Sequence, residues 1–188
     1  RLPWFNDQEI HSKEWRLTLH TKVWPVIALF ILTTEATAGC ATGFDPFTFC
    51  DIKGRDTSVF VCHDDHTVTY SYGTFGESPE LFLTETIRNT EYHPWNGPAT
   101  LSGSITFRNG EYAYEIVSAF EHDPVEGDAR AVSHFGWVTV TRNGETLARL
   151  ECRPEPVRYG SGSGIYDRKL ALGLYWDGYA NGWLTLPD

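Results

Sequence analysis

Ser104-Ile105-Thr106-Phe107-Arg108-Asn109-Gly110-Glu111-Tyr112-Ala113-Tyr114-Glu115-Ile116 is the stretch that decides the fold class. Apolar and polar side chains alternate on both sides of an Asn-Gly pair, so each arm reads as a strand with one buried face. Asn-Gly tolerates the positive φ angles of a type I′ turn, whose twist matches the strands it joins. Ile105 and Phe107 point one way, and Ser104, Thr106 and Arg108 the other. Tyr112, Tyr114 and Ile116 likewise oppose Glu111, Ala113 and Glu115. Such a half-buried antiparallel ribbon must bury its apolar face against a second layer.

The same signal recurs outward from this hairpin. Residues 137–142 meet residues 145–150 through Asn143-Gly144. Residues 58–62 pair with 67–72 across His63-Asp64-Asp65-His66, and residues 47–50 and 81–86 read as further strands by their aromatic and β-branched content. Only residues 166–172, which end before Gly173, read as a helix; the glycine-serine stretch 160–164 before them reads as a mobile loop. The expected fold is all-β, an antiparallel small barrel or sandwich built from hairpins, with one short C-terminal helix. Residues 39–188 form its single domain.

Composition agrees with that reading. Hydrophobic residues make up 41 % and charged residues 21 % of 188, which is globular rather than disordered. Aromatics at 14 %, with 17 Gly and 10 Pro, favour short strands and turns over long helices. Residues 1–39 hold four basic and four acidic side chains, so the whole net charge of -10 falls on residues 40–188. That charge excludes a nucleic-acid binder, repels anionic membranes and favours a basic protein partner.

The N-terminal 38 residues read as an upstream segment plus a secretory signal peptide. Arg16, His20 and Lys22 precede an unbroken apolar run at 23–32, and Ala36-Thr37-Ala38 supplies the small residues of a cleavage site. Ten apolar residues are too few to span a bilayer, so no membrane span is expected in the mature chain. The expected location is periplasmic or secreted. Two alternatives stay open: a buried core helix, and a lipid anchor on Cys40, which Ala38-Gly39 precedes as in a lipoprotein.

Cys40, Cys50, Cys62 and Cys152 all follow the expected cleavage site, and in an oxidising compartment they imply two disulfides. No C-x₂₋₄-C spacing occurs, so zinc is the weaker reading and no metal is expected. Cys50 and Cys62 flank a turn-rich stretch, which suggests a bond between them and leaves Cys40 to Cys152.

Little else carries chemistry. His63-Asp64-Asp65-His66 holds four metal-capable side chains, yet consecutive residues rarely converge on one point, and a hairpin tip is the better reading. Glu111 and Glu115 share a strand face about 13 Å apart, too wide for a pair of glycosidase carboxylates. Gly160-Ser161-Gly162-Ser163-Gly164 has Gly where a nucleophile elbow has Ser. No catalytic residue and no cofactor are expected. The C-terminal run from Tyr175 to Trp183 is rich in rigid amphipathic rings suited to recognition. Tyr166, Trp176, Tyr179 and Trp183, with Ser163 in the preceding loop, are the candidate binding residues.

Cys50, Ser58-Val59-Phe60-Val61-Cys62, Val68-Thr69-Tyr70-Ser71-Tyr72-Gly73, Pro79-Glu80-Leu81, Ile165-Tyr166-Asp167-Arg168-Lys169 and Gly173-Leu174-Tyr175-Trp176-Asp177 resemble an uncharacterised group of exported bacterial proteins. That resemblance implies a cysteine at the position of Tyr175, paired with the equivalent of Cys152. Ser163-Gly164-Ile165-Tyr166 and Trp176-Asp177-Gly178 are more faintly similar to motifs of the membrane-bound and periplasmic inhibitors of C-type lysozyme, small β-barrels that insert a loop into the enzyme's cleft. The resulting expectation is an exported, non-enzymatic binding or structural module, such as an inhibitor of a cationic envelope-directed enzyme. The alternative is an envelope-acting hydrolase that uses carboxylates.

Overall fold

The computed structural model describes residues 39–96, 100–122, 132–154, 158–159 and 163–186. The expected signal peptide, the 123–131 stretch and residues 160–162 of the glycine-serine stretch lie outside the described residues. Strands β1 (Asp45–Asp51), β2 (Ser58–His63), β3 (Thr67–Gly73) and β4 (Leu81–Thr86), with β10 (Arg158–Tyr159), form a sheet in the order β10-β1-β2-β3-β4. Strands β5 (Glu91–Asn96), β6 (Thr100–Asn109), β7 (Tyr112–His122), β8 (Val132–Arg142) and β9 (Glu145–Glu151) form a second sheet in that order. Helix α1 (Ser163–Ala171) and a hairpin of β11 (Leu174–Asp177) and β12 (Gly182–Thr185) complete the described residues. All pairings are antiparallel, and the two large sheets form a sandwich rather than a closed barrel.

Alternation builds the core as expected. Ile105, Phe107, Ile116 and Val138 from the second sheet meet Phe47, Val59, Val61, Val68 and Tyr70 from the first, all buried. The deciding hairpin turns one residue later than its Asn-Gly pair suggests. Asn109 pairs with Tyr112, so the loop is Gly110-Glu111, and only Gly110 has positive φ, 60°. Phe107 therefore faces Tyr114 and Ile105 faces Ile116. The slide moves each partner by two positions, which leaves every side chain on its expected face. At Asn143-Gly144 both residues have positive φ, 50° and 85°, as a type I′ turn requires.

The helix starts three residues earlier than its sequence signal, at Ser163, because Gly164 belongs to its first turn. A Cβ there would lie 2.7 Å from Cε1 of His63, so close packing against β2 requires glycine at this position. Behind it, Ile165 is fully buried in the core.

The disulfides are Cys40–Cys62 and Cys50–Cys152, which corrects the pairing expected from the turn. Cys50 faces Val59 across the hairpin, and Cys62 lies three residues further along β2, hence on the opposite face. Cys50 belongs to the main core, where Ile52 bridges Cys152, and its bond ties β1 to the end of β9. Cys62 lies on the outer face with Phe44, Phe49 and Phe60. Phe49 and Phe75 both stack on Phe60, at 4.6 and 5.9 Å, so β2 is buried on both faces. Cys152 thus takes Cys50, and the position where the resemblance implied a cysteine is Tyr175 in β11. The Sγ of Cys40 is bonded to Cys62, which takes the atom a lipid anchor would need.

Candidate binding surface

Three of the candidate binding residues converge where the C-terminal hairpin meets the edge strand β5. Register pairs Trp176 with Trp183 and Tyr175 with Leu184, so the two tryptophans share one face of the hairpin and Tyr175 and Leu184 the other. The tryptophan face turns inward. Trp183 packs against the core beside Tyr166, ring centres 5.3 Å apart, and stacks on the buried Tyr92 at 6.2 Å. Its indole Nε1 donates to the Tyr92 carbonyl oxygen. Trp176 sits edge-on to both Trp183 and His93, at 5.7 and 5.2 Å. Burial raises the Tyr92 phenol to about 12, which keeps it neutral within this cluster.

Beneath Trp183 lies Lys169, 1 % exposed, its Nζ 5.0 Å from the ring centre and donating to the Arg88 carbonyl oxygen at 3.0 Å. A buried ammonium without such partners would cost several kcal/mol. Tyr166, Trp176 and Trp183 are thus joined into an aromatic plug, and Ser163 begins the helix on which Tyr166 sits. Ser163-Gly164-Ile165-Tyr166 is a helical turn seated on the core, so these residues do not project as an insertion loop.

What the unit offers to solvent is different. Tyr179 is fully exposed at the tip of the β11–β12 hairpin, where Oδ1 of Asp177 accepts from the backbone N–H groups of Tyr179 and Ala180. Leu184 and Leu186 are 39 % and 52 % exposed, and Leu170 and Leu172 at the end of α1 are 41 % and 38 % exposed. The Leu186 N–H donates to the Gly173 carbonyl, which brings β12 beside the helix end. Of the candidate rings, Tyr166, Trp176 and Trp183 lie in the inward cluster and Tyr179 lies at the exposed tip. The odd-even spacing of Tyr175, Leu184 and Leu186 against Trp176 and Trp183 carried the distinction once the hairpin was known.

Other sequence candidates resolve into structure. Asp64 Oδ1 accepts from the N–H groups of His66 and Thr67 and from the Thr67 hydroxyl, which holds its carboxyl below the ordinary range. His63 is 3 % exposed, and burial with the nearby Arg168 guanidinium pushes its imidazole down. Among the described residues no three metal-capable side chains come together. Glu111 is bound by Arg142 and Asn143, which keep its carboxyl ionised below the ordinary range, the wrong direction for a general acid. Glu91 is held the same way by Arg108. No helix among the described residues is long and apolar enough to cross a membrane. Compared with known proteins, the chain matches no family model, no curated protein and no solved structure.

Proposed function

We propose that the protein is an exported, non-enzymatic binding module, periplasmic or secreted, that holds a cationic protein against its C-terminal helix–hairpin unit. The observation that carries this reading is the exposed apolar set Tyr179, Leu184, Leu186, Leu170 and Leu172 on one small unit. Exposed apolar groups concentrated on one unit are the usual mark of a surface that a partner covers. The net charge of -10 supplies long-range attraction for a basic partner. The two disulfides fit an oxidising compartment. Against the hydrolase alternative, Glu91 and Glu111 are both occupied by arginine and held ionised.

C-type lysozyme is the first partner to titrate, by calorimetry at low and high salt. Binding should weaken with salt, and Tyr179→Ala should cost more than about 1 kcal/mol if the tyrosine anchors the contact. Absence of binding, or binding untouched by Tyr179→Ala and Leu184→Ala together, overturns this reading of the surface.

A further inference from the structure

A second surface, on the other side of β5, has a different chemistry. The outer face of the second sheet carries Trp95 on β5 and Phe135 with Trp137 on β8, opposite the face that builds the core. Trp95 is 63 % and Phe135 36 % exposed. Register aligns Trp95, Ser102, Ala119 and Phe135 in one row across the sheet, and His93, Ser104, Val117 and Trp137 in the next. The two aromatic margins are therefore three strand spacings apart, about 14 Å, with serines and small apolar residues between them. Phe135 and Trp137 lie nearly parallel, 9° between planes and 6.2 Å between centres. Arg149 crosses from β9 to stand 4.1 Å from the Trp137 ring centre and fixes it. One row further along, the face continues into a shallow concavity lined by Thr106, Glu115 and Thr139.

Charge narrows the ligand. Glu91 is paired with Arg108, Glu111 with Arg142 and Glu151 with Lys53, while Glu115 and Arg149 share one row. On a strongly acidic protein these four acid–base sets are locally balanced, so the rows between Trp95 and Trp137 and the concavity beside them favour neither a cation nor an anion. Flat rings, hydroxyls and compensated charge complement a ligand with apolar ring faces and many uncharged hydroxyl groups. We propose that the outer face of β5–β8 binds an uncharged polysaccharide, with Trp95 and Phe135 stacking on sugar rings, Trp137 capped by Arg149 holding Phe135 in place, and Ser102 and Ser104 bonding hydroxyls between them. This site is independent of the protein-binding surface proposed above.

Affinity electrophoresis of the full chain, disulfides intact, through gels containing laminarin, xyloglucan, mannan or soluble starch tests the proposal, with polygalacturonate and heparin as charged controls. At least one neutral polysaccharide should retard the protein. Trp95→Ala and Phe135→Ala should each weaken that retardation by about tenfold, the loss expected of a binding hot spot. Trp95→Tyr should keep most of it, and Tyr179→Ala should leave it unchanged. Trp95 is exposed, so its alanine variant reports on binding even if Phe135→Ala disturbs folding. Retardation by none of the neutral polymers, retardation by the charged ones alone, persistence in Trp95→Ala, or loss in Tyr179→Ala would each overturn it.

Discussion

Trp183 donates its indole N–H to the backbone carbonyl oxygen of Tyr92 across 2.6 Å, a bond between residues 91 apart in sequence that fastens the C-terminal hairpin to β5. The ring packs at the same time on Tyr166 and Tyr92. Trp183→Ala should therefore lower stability by about 3 kcal/mol, as large-to-small changes at well-packed sites do. Trp183→Phe keeps a ring but loses the donor and should cost about 1 kcal/mol. Tyr179→Ala, at the exposed tip, should stay within about 0.5 kcal/mol of the parent. Urea denaturation of the three variants gives the order.

Lys169 links stability to alkaline pH. Burial, with the neighbouring Arg88 guanidinium adding to it, pushes the ammonium from 10.5 down to about 8. Between those values the unfolded chain holds more protons than the folded one, so stability should rise as pH rises through that window. Below about 8 the cost of the buried charge is present in full. Lys169→Met should remove this rise, which denaturation at pH 7 and pH 9.5 would reveal against the parent.

Peptide mapping without reductant should recover Cys40 joined to Cys62 and Cys50 joined to Cys152. The second bond closes a separation of 102 residues and the first of 22. Loop-closure entropy then assigns about 4.7 kcal/mol to the longer loop and about 3 kcal/mol to the shorter. Replacing Cys50 and Cys152 together by alanine should destabilise more than replacing the other pair, as judged by melting temperature.

Gly164→Ala should destabilise by about 1–3 kcal/mol, because the added methyl meets the His63 ring. In a His63→Ala background the same substitution should cost much less, and a double-mutant cycle measures the coupling. His63 also sets an acid limit. Its folded-state imidazole is pushed below 6.5, so the unfolded chain takes up the proton first and stability should fall as pH drops below 6.5. His63→Ala should show a shallower fall.

The sheets were legible in sequence wherever alternation was clean. Ile105, Phe107, Tyr114 and Ile116 could be sorted to one face without knowing which residue of the turn came first, since a two-position slide preserves parity. Strand β5 carries Pro94, which an edge strand tolerates but which interrupts a strand pattern, so the run did not read as a strand. The β11–β12 hairpin turns through four residues, Gly178-Tyr179-Ala180-Asn181, and only Gly182 of its Asn-Gly pair enters β12; without that register the inward Trp176 and Trp183 could not be told from the exposed Tyr179. The disulfides failed for the same reason. Proximity across a turn suggested Cys50 and Cys62, but an offset of three residues puts them on opposite sides of the sheet.

The Cys50–Cys152 bond makes a covalent ring of the chain between those two residues, and this ring contains β2 to β9 whole. A single peptide cut anywhere within it leaves both pieces on one molecule until a reductant is added. The helix and the terminal hairpin lie outside the ring, so a cut between Cys152 and Ser163 leaves them no covalent tether. From then on they stay in place through non-covalent contacts: Ile165, the Lys169 and Arg88 hydrogen bonds, the Arg168 ion pairs with Asp45 and Asp65, and the Trp183 plug. Nicking thus separates two classes of break: those the sandwich survives as one particle, and one that turns its C-terminal unit into a dissociable ligand of its own core.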